Sequence, residues 1–399
     1  MSGQTLLLLL ASVLAAFALL GSLYIIFFAS RGVGAEHAGG EASQTGEPGT
    51  SFLVLIPAHN EEEGIRSTLH SLRQLEYPPS LYRVIVIADN CQDETAAVVR
   101  EEGFECWVRQ VPEACGKGHA LRWALDRAGE LAFDGAVFLD ADTCPAPNFL
   151  LALDRALARG VSAAQPLYEF ELSDRSGFSL LAVASKRAED KLIWGPRQRL
   201  GLAIFLQGNG FCLRRAVLEQ VPWTAYSIVE DLEYSLELML RGVQIDYLPS
   251  ARVISRLTRS ATDALPQRVR WASGTLQVII RYLPRLLLAA LKQRDLRLAE
   301  ASVALLLTSR MVLVYAGLLA LGFSFLAAPP TGVIAVWVMV VAAALLQFAY
   351  FLCVLGTVRR EGSGWRGFVF LPIYLGWLLL VQLLAALGVR RKVWTRTSR

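Results

Sequence analysis

In the stretch Gly135–Pro145, GAVFLDADTCP, a short apolar run is followed by two carboxylates, Asp140 and Asp142. The run predicts a buried strand, because continuous apolar residues are typical of strands that are covered on both faces. At positions i and i+2 of an extended segment, the two side chains would point the same way. Like charges that close need a cation or hydrogen bonds to remain ionised. Mg²⁺ or Mn²⁺ bound to substrate phosphates would meet this need; a solvated turn is the alternative.

Strands and helices alternate on both sides of this stretch. Further strands are predicted from Ser51 to Pro57, at 82–89 and at 104–111, with helices over 61–75 and 117–130 between them. This alternation predicts an α/β domain with a mostly parallel sheet. Ligands of such sheets bind outside the carboxyl ends of the strands, where the polar motifs of this chain fall.

The composition predicts that part of the chain lies in a membrane. Of the 399 residues, 54% are hydrophobic and the mean hydropathy is +0.41, whereas soluble domains are usually about 45–50% apolar. Residues 5–29 form an uncharged block long enough to cross a bilayer, an anchor rather than a cleaved signal peptide. Three further blocks, 300–327, 331–357 and 367–389, are predicted spans. A transporter is disfavoured, because these spans carry few ionisable groups besides Arg310.

The domain organisation follows from these blocks. The middle segment is predicted to be cytoplasmic, because basic residues gather near the membrane edges and six scattered cysteines suit a reducing compartment. The net charge of +4 is too small to indicate nucleic acid. One C-terminal block, such as 367–389, is expected to be re-entrant or interfacial, because three full spans would place the basic tail outside. The predicted parts are an N-terminal transmembrane anchor (1–30), a flexible linker (31–50), a cytoplasmic domain (51–265), amphipathic interfacial helices (266–298), about three transmembrane helices (299–389) and a basic tail (390–399). The interfacial part is predicted to be one or two helices broken at Pro284, and an ordinary packed surface helix is the alternative.

Three other motifs, before and after this stretch, have side chains that suit ligand binding or proton transfer. Asp89 ends the second strand, where a carboxylate can bind ribose hydroxyls or a base edge, while Asp93 nearby suits helix capping. Lys117 stands between two glycines at a helix start, where it can meet a phosphate or remain a solvated surface lysine. Glu230 and Asp231 open another helix, whose dipole favours ionised carboxylates; one of them suits a general base.

The segment Gln267-Arg268-Val269-Arg270-Trp271 closes the set of motifs. Arginine binds diphosphates in a bidentate manner, and an indole face can stack on a sugar ring. Anchoring of the tryptophan and the arginines at a membrane interface is the alternative.

Together these motifs resemble the family 2 inverting glycosyltransferases, in particular the membrane-embedded branch of cellulose, hyaluronan and poly-N-acetylglucosamine synthases. The resemblance covers about 220 residues, and the flanking membrane segments extend it. The motifs are, in chain order, Pro57-Ala58-His59-Asn60-Glu61, Ala88-Asp89-Asn90, Gly116-Lys117-Gly118, Asp140-Ala141-Asp142, Gly208-Asn209-Gly210, Glu230-Asp231 and Gln267-Arg268-Val269-Arg270-Trp271.

The resemblance implies a GT-A domain (nucleotide-diphospho-sugar transferase-like) that uses a nucleotide-diphosphate sugar, usually UDP-linked, with Mg²⁺ or Mn²⁺. It implies that Asp231 is the catalytic base and that Asp140 and Asp142 hold the metal, with Asp142 the direct ligand. The implied donor-binding residues are Pro57, His59, Glu61, Asp89, Lys117, Asp140 and Asp142. The implied acceptor-binding residues are Gln207, Gly208, Asn209 and Trp271, and Gln267, Arg268 and Arg270 would hold pyrophosphate or acceptor.

The implied function is membrane-bound transfer of a sugar to a growing polysaccharide with a β linkage, in the plasma membrane, with membrane lipid around it and an accessory export subunit as a further partner. A single transfer to a lipid acceptor and a catalytically silent assembly subunit are the alternatives. The chain departs from the family in two places: Ala88-Asp89-Asn90-Cys91 replaces a run that often has two adjacent carboxylates, and there are fewer spans than in polymer-secreting members. The tail WTRTSR resembles a Trp-x-Lys-Thr-x-Arg ending, with Arg396 in place of lysine.

Overall fold

The computed structural model describes residues 2–33, 47–172, 176–257, 260–327, 330–360 and 365–388. Most of the predicted linker and the whole of the predicted basic tail lie outside these described residues, so both remain predictions.

The domain between the terminal helices is built on one sheet, to which eight described strands contribute in the order β3-β2-β1-β4-β7-β6-β8-β5. The pairs β1–β2, β2–β3, β1–β4 and β6–β8 are parallel, whereas β7 is antiparallel to β4 and β6, and β5 to β8. The predicted mostly parallel sheet is therefore confirmed. The strands are β1 (Phe52–Ala58), β2 (Tyr82–Asp89), β3 (Glu105–Arg109), β4 (Gly135–Phe138), β5 (Thr143–Pro145), β6 (Ala163–Glu171), β7 (Phe211–Arg214) and β8 (Ile245–Arg256).

Helices cover both faces of the sheet, which explains why its central strands are apolar without alternation. Every residue of β1 is buried. Val54 and Ile56 belong to the core on one face, and Leu53 and Leu55 to the core on the other. The helices of this domain are α2 (Ile65–Leu72), α3 (Thr95–Glu101), α4 (Lys117–Arg127), α5 (Phe149–Ala158), α6 (Gly177–Glu189), α7 (Gly195–Arg199), α8 (Arg215–Gln220) and α9 (Glu230–Leu240), with α1 (Gly3–Gly32) before it.

Most of the described residues of the C-terminal part are helical. Four described helical stretches are long and apolar enough to cross a membrane: Gly3–Gly32, Ala261–Gln293, Val333–Thr357 and Phe368–Ala386. Candidate membrane-spanning helices are therefore present, as predicted. The C-terminal helices are α10 (Ala261–Gln293), α11 (Leu296–Leu306), α12 (Met311–Leu326), α13 (Pro330–Arg360) and α14 (Leu371–Ala386).

The prediction that Pro284 breaks the amphipathic segment is wrong, because α10 continues through it. A proline inside a helix costs about 3 kcal/mol or more, and packing offsets that cost here. Tyr282 and Leu286 are buried in a core shared with α9. On either side of the proline, Arg281 and Arg285 pair with Glu233 and Glu237 of α9, each at 2.9 Å.

The block 300–327, predicted as one span, consists of α11 and α12, which meet at a bend of 72°, as in a broken span or a re-entrant loop. The bend falls where three polar residues, 308–310, interrupt the apolar block. The Arg310 guanidinium lies 3.9 Å from the Glu189 carboxylate at the end of α6 and over the ring of Tyr350 in α13. Arg310 thus contacts the domain that contains the sheet at the point where the helix direction changes.

Candidate active site

A cavity of about 570 Å³ opens at the carboxyl ends of β1 and β4, the edge where α/β sheets bind their ligands. It brings together residues from β1 to α10 that are more than 200 positions apart in the chain. The predicted site residues that line it are Pro57, His59, Glu61, Lys117, Asp140, Asp142, Gln207, Gly208, Asp231, Gln267, Arg268, Arg270 and Trp271.

Asp140 and Asp142 lie in a turn beyond the end of β4, so the expectation of an extended segment is wrong. The Thr143 amide donates to the Asp140 carbonyl at 3.2 Å, which closes the turn. Asp142 accepts a hydrogen bond from the Thr143 hydroxyl at 3.3 Å. The turn places both carboxylates on the wall of the cavity. They can therefore face a ligand, as predicted, although they do not lie in a strand.

Lys117 balances the charge of the carboxylates. Its Nζ lies 2.6 Å from Asp140 Oδ1 and 3.3 Å from Glu230 Oε1, and it also donates to the Gly208 carbonyl. Desolvation lowers the pKa of Lys117, but the Asp140 and Glu230 carboxylates outweigh that effect and raise it. Lys117 is therefore a cation at neutral pH, in direct contact with one of the two predicted metal ligands.

Glu230 and Asp231 begin α9 and face this cation. Burial raises the pKa of Glu230 to about 7 against the opposing effect of Lys117. Burial also raises the pKa of Asp231 above its usual value, and the opposing effect of Lys117 is again smaller. A carboxylate with a raised pKa that stays near a cation is suited to accept a proton from a hydroxyl group.

Asp89 does not line the cavity. Its side chain is fully buried and forms an ion pair with Arg109 at the end of β3. Asn90 Nδ2 donates to Asp89 Oδ1 at 3.1 Å, and the Gly116 amide lies 3.4 Å from Asp89 Oδ2. No motif in the sequence marked Arg109, and the nucleoside-binding role of Asp89 remains a prediction.

Asn209 also lies behind the cavity wall, with 1% of its surface exposed. Its Oδ1 accepts from the Asp140 amide at 3.1 Å, and its Nδ2 donates to the hydroxyls of Thr143 and Ser255. These bonds hold the carboxylate turn against β8. The structure thus shows Asn209 positioning the turn, while Gln207 and Gly208 beside it reach the cavity.

Several cavity residues were not predicted from the sequence, because they lie outside its motifs. His119 stacks on Tyr226, with ring centroids 4.5 Å apart and planes inclined by 16°. Tyr24 of α1 and Arg197 of α7 also line the cavity. Only His119 had a signal in the sequence, since it follows the Gly-Lys-Gly motif directly.

The acidic groups at the cavity wall fit a divalent metal that is shared with a phosphate ligand. Within the described ranges, no cluster of three or more His, Cys, Asp or Glu side chains is arranged to hold a metal ion by itself. Mg²⁺ is usually bound by only one or two carboxylates, with substrate phosphates and water completing its shell. The oxygen donors of Asp140 and Asp142 fit that mode of binding.

Comparison with known proteins identifies the class. Residues 48–274 match the family described as "Glycosyltransferase like family 2", which is more than half of the chain, and the chain therefore belongs to that family. The fold resembles the mannosyltransferase PcManGT of Pyrobaculum calidifontis, solved with GDP-Man and Mn²⁺, with a TM-score of 0.58 and 18% identity over 96% of this chain and 99% of that one. At this identity the likeness establishes the fold alone, which is GT-A-like as predicted.

Two relatives differ in the acceptor that their names imply. The β-monoglucosyldiacylglycerol synthase of Trichormus variabilis is 29% identical over 57% of this chain and 50% of that protein. The poly-β-1,6-N-acetyl-D-glucosamine synthase of Staphylococcus aureus is 27% identical over 58% of this chain and 56% of that protein. The chain spans about half the length of these relatives, which make a glycolipid and a polysaccharide.

Proposed function

We propose that this glycosyltransferase moves a sugar from a nucleotide-diphosphate donor, UDP-linked, to an acceptor hydroxyl with inversion at the anomeric carbon, giving a β linkage. The observation that carries the proposal is the convergence of Asp231, Lys117 and the Asp140–Asp142 turn on one cavity that is also lined by Arg270. A single displacement needs a base for the nucleophile and positive charge near the leaving diphosphate, which Asp231 and the two cations Lys117 and Arg270 would supply.

Asp231 accepts the proton of the acceptor hydroxyl as its oxygen bonds to the anomeric carbon. The bond from that carbon to the diphosphate oxygen breaks, and its electron pair leaves with the nucleotide diphosphate. Lys117 and Arg270 stabilise the negative charge that develops on the leaving group. Trp271 supplies an aromatic face for the acceptor sugar or headgroup.

Asp140 and Asp142 would hold Mg²⁺ or Mn²⁺ together with the donor phosphates. When bound, such an ion neutralises the diphosphate as a Lewis acid. Because Lys117 Nζ is 2.6 Å from Asp140 in the structure, Asp142 is the carboxylate we assign as the direct ligand, and Asp140 orients the phosphates and the lysine.

We further propose that the enzyme works at the cytoplasmic face of the plasma membrane. Basic residues lie where the catalytic domain meets the membrane helices: Arg281 and Arg285 are exposed on α10, and positive residues favour the cytoplasmic side. A growing polysaccharide is the acceptor predicted from the sequence, and a lipid that receives one sugar is the second candidate, which the membrane side of the cavity favours.

The test is a donor screen with the full-length protein in nanodiscs. UDP-glucose, UDP-N-acetylglucosamine and GDP-mannose are incubated with and without Mn²⁺, and nucleotide release is measured. We expect one UDP-sugar to be turned over only with metal, and NMR of the product to show a β linkage. An α linkage would contradict the inverting mechanism.

A matched pair of variants separates catalysis from a structural role. Asp231→Asn should reduce turnover by about 10²–10⁴-fold, the usual contribution of a general base. Asp126→Asn removes an equivalent carboxylate on the exposed face of α4, where it pairs with Arg122, and should have no effect. Equal activity of Asp231→Asn and the wild type would remove Asp231 as the base, whereas a wild type that turns over no donor would favour a silent assembly subunit.

A further inference from the structure

The active-site cavity continues beyond its polar end to the membrane helices. Its far end is lined by residues of α1, of the segment between α6 and β7, and of the bend between α11 and α12. We call this end the membrane arm; its apolar residues are Ile25, Ile193, Trp194, Phe205, Ala304 and Leu307. One continuous cavity therefore joins the proposed catalytic carboxylate to a surface formed in part by side chains of the membrane helices.

The charged groups around the membrane arm are paired with one another. Arg197, which is 2% exposed, lies 2.8 Å from the Glu300 carboxylate and also donates to the Tyr24 hydroxyl. Lys186 lies 2.7 Å from Asp190. Because these charges are balanced within the protein, the arm favours a ligand without a charge of its own.

Buried polar groups on the cavity wall include donors that have no partner for their hydrogen atoms. Among the described residues, Trp194 Nε1 and Gln207 Nε2 are buried and form no hydrogen bond, although leaving a buried donor unpaired is unfavourable. Trp194 ends a π-helical turn, Asp190–Trp194, an irregularity that is frequent at functional sites. A hydroxyl oxygen of a ligand would satisfy these donors.

The neighbouring membrane helices are closely packed. Ala11, Ala15 and Ala18 of α1 are fully buried against residues of α12 and α13, among them Ala320 and Ala343. Small side chains let membrane helices approach one another closely. The contact between the described parts of these helices is a packed core, which does not suit the passage of a sugar chain.

We infer that the acceptor is a membrane lipid with an uncharged, hydroxyl-bearing headgroup, which places its hydrocarbon chain in the membrane arm and its hydroxyl toward Asp231. The inference rests on the proposed function and names its acceptor. Trp194 and Gln207 bind the oxygen atoms of the headgroup. The hydroxyl proton passes to Asp231, the oxygen bonds to the anomeric carbon, and the nucleotide diphosphate leaves.

The test offers three acceptors to the full-length protein in phosphatidylcholine nanodiscs with the radiolabelled donor identified by the screen. These are dioleoylglycerol, a polyprenyl phosphate and a soluble β-linked oligosaccharide. We expect label only in dioleoylglycerol, with a mass increase of one sugar. Label in the phosphate lipid, in the oligosaccharide or in a polymer overturns the inference.

Variants of the arm make the test specific to this site. Ile193→Trp fills the arm and should lower the ratio of lipid transfer to acceptor-independent nucleotide release at least tenfold. Leu20→Trp adds the same side chain to α1 at a position that is 65% exposed and should leave the ratio unchanged. Equal ratios in the two variants contradict the inference.

Trp194→Phe keeps an aromatic ring but removes the N–H. It should raise KM for dioleoylglycerol several-fold, with a smaller effect on KM for the donor; an unchanged KM for the lipid contradicts the role of Trp194. If no protein releases nucleotide from any donor, the proposed function fails, and the inference fails with it. Nucleotide release without lipid labelling overturns the acceptor assignment alone.

Discussion

Replacing Gly208 with alanine tests whether the position of the Asp231 carboxylate controls the reaction. Gly208 has φ +76°, and a Cβ at this position would lie 2.9 Å from Asp231 Oδ2. This separation is shorter than carbon and oxygen atoms tolerate, so the carboxylate has to move. The Gly208 carbonyl also accepts from Lys117, so the substitution acts where the proposed base and its neutralising cation meet.

Gly242 supplies the matched control for Gly208→Ala. It has the same φ of +76°, and a Cβ added to it would meet no atom within 4 Å. An alanine in this left-handed conformation costs about 1–2 kcal/mol, so Gly208→Ala and Gly242→Ala should lose similar backbone stability. Only Gly208→Ala should lose activity, by about 10- to 100-fold in kcat, because a misplacement of 1 Å can cost about 10²-fold.

Nucleotide release at saturating donor gives kcat, and thermal unfolding in the same detergent gives the stability of each variant. Gly208→Ala with the kcat of the wild type would refute the reasoning. An equal loss of activity in Gly242→Ala would show that general destabilisation, and not displacement of the base, explains the effect.

The charges of the site lead to three further predictions. Lys117 lowers the pKa of Asp231, so Lys117→Met should raise that pKa and move the acid limb of the residual kcat–pH profile to higher pH; a limb that stays in place contradicts this coupling. Arg109→Met leaves the buried Asp89 carboxylate without its ion-pair partner and should lower the free energy of unfolding by about 3–5 kcal/mol. The double variant with Asp89→Asn should recover part of that loss in a denaturant titration; the absence of any recovery would argue against the pair. Chelation should abolish turnover and Mn²⁺ restore it, and Asp142→Asn should require more Mn²⁺ for half-maximal activity, whereas an unchanged requirement removes Asp142 as a ligand.

The sheet was predictable because its information is local. Continuous apolar runs predicted β2 at its observed bounds, Tyr82–Asp89, and the start of β4 at Gly135. The alternation of these runs with helical segments predicted parallel pairing, and with it the edge at which the cavity lies. The start of α9 at Glu230 followed from the acidic first turn.

The errors arose where distant contacts outweighed local preference. Pro284 predicted a break, but α10 continues through it, supported by the ion pairs of Arg281 and Arg285 with α9. The extended segment predicted after Leu139 is a turn, because Asn209, 69 positions away in the chain, binds the Asp140 amide. Neither partner could be assigned from the sequence near the motif.

The sequence by itself determined the strand ends, the order of the acidic and basic motifs and the apolar segments, since each depends on neighbours along the chain. Only the tertiary structure decided which polar groups meet: Lys117 with Asp140, Asp89 with Arg109, and the Tyr24 hydroxyl with a carboxylate 276 positions away. It also joined the candidate active-site cavity to the predicted membrane helices. The physical reason is that burial makes an unpaired charge costly, and the partner that removes this cost is chosen by proximity in the fold, which residue spacing does not specify.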